Sequence, residues 1–244
     1  MPGERIAVAY LDEPPFFAPT ASGEPVGCDI ELVHDVVREL ATAPVEWHLV
    51  TFEELIPGLR GGRWHVSCPM FVTAERAEVV DFSPPVWHAG DGFIVRSDDR
   101  RDFGSYEAIA SDPSIVVAAV EGQQQVRTAA AAGIEPERIR TFAGQEEAVA
   151  AVRGGAADAA VSTAPGNAAY VARLGDPMLR STVDATGDDG LPPQARSPSA
   201  SITRHRPGRV LATRGRQLGH WPHPHGLRGG RIAPRTHSNH RVLE

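Results

Sequence analysis

Three features of the sequence predict an α/β fold. Strand-like runs rich in Val, Ile and Ala alternate with amphipathic helical runs, the alternation occurs twice, and a charged break from Ser97 to Asp102 separates the two series. The β-α-β-α-β order of the first series implies a mainly parallel sheet with helices on its faces. Two such units leave a cleft at strand C-termini and helix N-termini, where α/β proteins hold ligands.

The first series opens with Ile6-Ala7-Val8-Ala9-Tyr10, an apolar strand that Pro14-Pro15 ends, and Gly23-Glu24-Pro25 signals a turn. From Asp29, a candidate N-cap, the residues Ile30, Val33, Val36, Val37 and Leu40 recur at the helical period. Val45 to Val50 alternates as a strand, and Phe52 to Leu59 is a short helix stopped by Gly61-Gly62. Trp64 to Met70 leads into a polar turn, Thr73-Ala74-Glu75-Arg76, before the strand-like Val79 to Ser83. Gly92 to Arg96 is the next strand. The second series then runs as helix Ser105 to Ser111, strand Ile115 to Val120, helix Gly122 to Ala132 and strand Ile139 to Phe142. It closes with helix Gln145 to Val152, strand Ala157 to Ser162 and a helix to about Leu174.

The chain of 244 residues, 41% hydrophobic and 23% charged, has the composition of a soluble globular protein with a real core. No apolar run approaches the roughly 18 residues of a membrane span. No basic-then-apolar leader precedes Ile6, so the expectation is a secretion signal already removed or a copy that is not exported. All 24 basic residues are arginine. Fourteen of them against thirty acids leave residues 1–190 at −16, while ten against one leave 191–244 at +9. The acidic body argues against nucleic acid as a partner.

From about Leu191 no helical or strand period is sustained, and seven prolines and six of the ten histidines fall there. One expectation is a reading frame shifted near Gly190, because out-of-register GC-rich codons yield Arg, Pro, His, Gly and Ser. The other is a disordered basic tail. His220, His223 and His225 read as a chance cluster, so no metal or other cofactor is expected.

Arg76 is the candidate anchor for a carboxylate, since a guanidinium offers a fixed fork of donors. Around it Thr73, Glu75, Arg76, Val80, Phe82, Ser83 and Pro85 fall on the signature of the bacterial extracellular solute-binding proteins, family 3, the polar amino-acid receptors of ABC importers. Gly27-Cys28-Asp29-Ile30-Glu31-Leu32 and Phe52-Glu53-Glu54-Leu55-Ile56-Pro57-Gly58-Leu59 resemble two further motifs of that family in the right order. The resemblance implies a type II periplasmic-binding-protein fold: lobe 1 at 1–96, lobe 2 at 97–190, a hinge near Val95–Asp98, and 191–244 standing in place of the expected return to lobe 1. It implies an extracellular or periplasmic monomer, anchored to the membrane in a longer precursor, that serves an ABC permease. Cys28 stands where the family has an aromatic residue, so a packed free thiol is expected over a disulfide with Cys68.

The same resemblance puts Phe16, Phe52 and Phe71 around the cleft as an aromatic box for a cation, with Glu13 as a carboxylate beside it. Thr73 belongs to the Arg76 loop. Gly122, Gln123 and Gln124 occupy the turn where a helix N-terminus faces the ligand. Thr163 stands near the position at which amino-acid receptors carry an Asp for the ammonium. A box, one acid and no second Asp imply a small zwitterion with a delocalised or substituted cation, most like the ectoine and hydroxyectoine branch. No nucleophile–base pair is apparent in 1–190, so an enzyme is not expected. A cyclohexadienyl-dehydratase-like activity on the same fold, or a ligand-sensing domain, is the alternative.

Overall fold

The computed structural model describes residues 5–40 and 43–185 and the backbone of the strand at 197–203. In chain order the first elements are β1 (Ile6–Tyr10), β2 (Ala18–Pro19), β3 (Pro25–Val26), α1 (Cys28–Leu40), β4 (Val45–Leu49) and α2 (Leu55–Gly61). β5 (Val66–Phe71), α3 (Ala74–Ala77), β6 (Asp81–Phe82), β7 (Trp87–Ala89) and β8 (Asp91–Arg96) follow. Then come α4 (Tyr106–Ser111), β9 (Val117–Val120), α5 (Gln124–Ala131), β10 (Ile139–Phe142) and α6 (Gln145–Arg153). The described chain ends with β11 (Ala159–Thr163), α7 (Ala164–Leu174), β12 (Leu179–Val183) and β13 (Ser197–Thr203).

These elements build two lobes on two sheets. The first sheet runs β4-β1-β5-β13-β6, with β7 also paired to β13, and the second runs β10-β9-β11-β8-β12. β4, β1 and β5 are parallel, as are β10, β9 and β11. β8, β12 and β13 enter antiparallel. In the second lobe both faces of the sheet are buried, so neighbouring strand residues feed different cores. Phe93, Val95, Val117, Ala119, Ala159 and Val161 face one side with Tyr106, Ile109 and Ala129 of α4 and α5. Ile94, Ala118 and Ala160 face the other with Val149, Val152 and Tyr170 of α6 and α7. That is why these strands read as continuous apolar runs.

Three expectations change. β8 was expected to close the first lobe, but it pairs with β11 and β12, so the chain crosses between lobes at Gly90. The charged break, Ser97 to Asp102, therefore lies beyond that crossing. Arg96 and Arg101 both donate to Asp158 Oδ1, at 3.1 and 2.5 Å, and Asp158 Oδ2 accepts the Val116 amide. This network ties the break to its own lobe. Finally, Ser197–Thr203 returns to the first sheet as β13, antiparallel to β5, β6 and β7. Its run of small polar residues has no apolar alternation to reveal a strand; its neighbours supply the missing ladder. The proposed frame shift near Gly190 and the cluster His220, His223 and His225 lie outside the described residues.

Cys28 and Cys68 are free thiols, Cys68 buried in the core of the first lobe. Among the described residues no helix is long and apolar enough to cross a membrane, and no group of three or more His, Cys, Asp or Glu could hold a metal ion.

Candidate functional site

Five loops at the strand ends converge on one cavity between the lobes. The first loop follows β1 and is closed on itself: Glu13 N–H donates to Phe17 O at 2.8 Å and Phe16 N–H to Glu13 O at 3.1 Å. It is then pinned to α1, whose Asp29 amide donates to Phe16 O at 3.0 Å. The approach is so close that a Cβ on Gly27, at φ +132°, would meet Phe16 O at 2.2 Å. Only glycine fits there. Phe17 is driven into the core, and Glu13 and Phe16 are left on the cavity wall.

Phe52 comes from a 3-10 turn (Phe52–Glu54) closed by a Thr51–Glu54 capping box. Phe71 ends β5, and Thr73 caps α3 by accepting the Arg76 amide at 3.2 Å. That short turn presents the Arg76 side chain. Its Nη1 donates to Phe71 O at 2.8 Å, and its Nη2 reaches across the cleft to Gly122 O at 2.9 Å. The guanidinium carbon stands 5.3 Å from the centre of the Phe52 ring. From the second lobe, Gln123 to Gln125 enter at the start of α5, and Thr163 caps α7 by accepting the Gly166 amide at 3.2 Å.

Eight of the ten predicted residues therefore line one cavity: Glu13, Phe16, Phe52, Phe71, Arg76, Gln123, Gln124 and Thr163. Thr73 does not line it, because its hydroxyl is committed to the turn that holds Arg76. Gly122 does not line it either; its carbonyl accepts from Arg76, and its φ of +75° makes the bend that allows this. The aromatic box is also smaller than expected, since the Phe52 ring lies under the protein's own guanidinium. Sequence reasoning missed Asp29, Trp87 and Gln125 in the wall. Asp29 reads as a helix cap, yet it lies in the first turn of α1, 1% exposed, and accepts Trp87 Nε1–H at 2.5 Å. Gln125, 2% exposed, donates from Nε2 to Asp91 Oδ1 at 2.8 Å. A hydrophilic residue in an otherwise helical stretch carries no sign of such burial. The one available signal was Asp29's place within the Gly27–Leu32 motif.

Charge is segregated across the cavity. Burial, and then the neighbouring Arg127, push Arg76 down to about 10, with Glu75 opposing. No carboxylate among the described residues hydrogen-bonds to it. Elsewhere in the wall burial pushes Glu13 up to about 7; hydroxyls of Thr163 and Ser162 pull it back, while Asp29 and Asp91 push it further. Burial likewise raises Asp29 to about 7 against the Trp87 hydrogen bond. Gln123 Oε1 is a buried acceptor with no partner. The cavity thus offers a donor fork to an anion and acceptors to a cation.

The family model of the bacterial extracellular solute-binding proteins, family 3, matches residues 6–189. The chain belongs to this family. It is 33% identical over 180 residues to a probable amino-acid ABC transporter periplasmic-binding protein, y4tE, of Sinorhizobium fredii (strain NBRC 101917 / NGR234), covering 72% of this chain and 59% of that one. The chain spans about three fifths of the length of the curated relatives it matches. Among solved structures it resembles the ancestral amino acid-binding protein AncCDT-1, a precursor of cyclohexadienyl dehydratase, at 30% identity and TM-score 0.66, covering 82% of each chain. It also resembles EhuB in complex with hydroxyectoine, at TM-score 0.70 over 82% of this chain and 76% of that one. At 22% identity the second likeness shows the fold alone. The fold of this family-3 protein is the type II periplasmic-binding-protein fold.

Proposed function

We propose that this family-3 protein is the substrate-binding protein of an ABC importer, working outside the cytoplasmic membrane and closing its lobes over a small zwitterion of the amino-acid or compatible-solute kind, ectoine-like in its charge. One observation carries the reading: a single cavity holds a guanidinium with no carboxylate hydrogen-bonded to it among the described residues and, apart from it, buried carboxyls with no cationic partner among them. A zwitterion supplies both missing partners. Phe16, Phe71 and Trp87 suit the apolar body of a ring or methylated cation, and no acid stands at Thr163 to serve a primary ammonium there. Calorimetry against ectoine, proline betaine, arginine and glutamine tests it. Binding of the first two is the expected result, and tight binding of only a primary amino acid rejects the ectoine-like assignment.

One observation favours a second reading. A carboxyl at about 7 in a closed cleft is poised for general-acid chemistry, and AncCDT-1 is described as a dehydratase precursor. Incubation with prephenate or arogenate, followed by assay for phenylpyruvate or phenylalanine, decides between them.

A further inference from the structure

Glu13 spans the cleft. It leaves the first lobe, and its Oε1 lies 3.4 Å from Thr163 Oγ1 at the start of α7. The groups that act on it most strongly there are neutral or acidic. Thr163 and Ser162 of β11 offer hydroxyls, while Asp29 of α1 and Asp91 of β8 add like charge. Asp12, its chain neighbour, is paired with Arg173 at 2.6 Å. Asp29 in turn takes the Trp87 indole N–H and faces the thiols of Cys28 and Cys68. Asp91 takes the Tyr106 hydroxyl at 2.8 Å and the Gln125 amide, with Asp184 adding negative charge. Three carboxyls are therefore gathered at or just behind one wall, and no arginine among the described residues bonds any of them. The cation in the lining, Arg76, feels chiefly Arg127 and Glu75 instead.

Carboxyls crowded into a desolvated wall do not all ionise together as readily as in water, so burial favours the protonated form there. We propose that the ligand's positive end is taken up at Glu13 in exchange for a proton, so that binding is coupled to proton release. This rests on the zwitterion reading above and deepens it. The Glu13 carboxylic acid and the ligand cation become a carboxylate–cation pair, and the proton leaves to solvent. The ligand class this favours carries a positive charge that does not itself titrate near neutrality.

The sign follows from linkage. A cation beside Glu13 stabilises its ionised form and lowers its pKa, so below about 7 binding must expel a proton and is weaker. Affinity therefore rises with pH, by up to about tenfold per unit for one proton, and levels off once Glu13 is ionised beforehand.

Calorimetry of the full chain with ectoine and proline betaine, in two buffers of different ionisation heat, counts the protons. The expected result is release approaching one proton per ligand on the acid side of neutrality, falling towards none in mild alkali. Glu13→Gln should bind more weakly, release no proton and show a flat profile. PH-independent binding with no release, or full release retained in Glu13→Gln, overturns the proposal. If neither compound binds at any pH, the ligand reading fails separately. The exchange is then judged by carboxyl NMR titration of the ligand-free protein: Glu13 titrating near neutrality upholds it, and Glu13 in the ordinary glutamate range overturns it.

Discussion

Arg76 is held in place by contacts with the protein itself. Two carbonyls, Phe71 O and Gly122 O, take hydrogen bonds from Nη1 and Nη2, and the guanidinium carbon lies over the Phe52 ring. A carbonyl satisfies a donor without neutralising a charge, so this cation keeps its demand for an anion. Lysine at this position carries charge but cannot serve both carbonyls and a carboxylate in one plane. Arg76→Ala should cost roughly 2–5 kcal/mol of ligand affinity, since it strands the ligand's carboxylate in a closed cleft. Arg76→Lys should recover only part of this. Calorimetry on both variants checks it, and an affinity unchanged by Arg76→Ala would remove Arg76 from the site.

At the scale of elements, the site depends on where α1 begins. Gly27 turns at positive φ and lets the Cys28 and Asp29 amides reach Pro15 O and Phe16 O at 3.3 and 3.0 Å. The helix N-terminus thereby clamps the loop that carries Glu13 and Phe16. Gly27→Ala places a methyl where Phe16 O now sits and also strains the backbone, a cost on the order of 1–3 kcal/mol. The expected outcome is a lower urea midpoint together with weakened ligand binding, because the loop must move off α1. A variant that melts like wild type and binds normally would show that the clamp has no role in the site. The second lobe has a comparable device. Arg138, only 8% exposed, donates from Nη1 to Ile109 O, Asp112 O and Ile115 O and from Nη2 to Ala110 O, gathering the carbonyls at the end of α4.

At the scale of the two lobes, the cleft is flanked by ion pairs that cross it. Asp12 meets Arg173 at 2.6 Å on one side, and Glu75 meets Arg127 on another. All four side chains are substantially exposed, so each pair contributes only about 0.2–1 kcal/mol and is screened by salt. Contributions of that size are too small to drive a closing of the lobes. A double-mutant cycle with Asp12→Asn and Arg173→Gln should show a coupling of that size in ligand affinity at low ionic strength, and none in concentrated salt. A coupling that survives high salt would mean that the pair is desolvated, and an absent one that it does not act in the closed state.

The sequence by itself determined the α/β class, most elements of both lobes and the family, because apolar periodicity and a contiguous motif are local properties of a chain. Arg76, Glu13 and the three phenylalanines were legible for the same reason: each sits in a short loop directly after a recognisable strand or within a quoted motif. Pairing between distant segments is not local, and only the tertiary structure decided it. It assigned β8 to the second sheet and gave Ser197–Thr203 a ladder that its own residues do not announce. It put the Phe52 face under Arg76, and it gathered Glu13, Asp29 and Asp91 where burial raises all three carboxyls, with Asp29 and Asp91 adding to the rise at Glu13. A carboxyl's charge depends on how much water and which neighbours surround it, and those are set by residues far away along the chain.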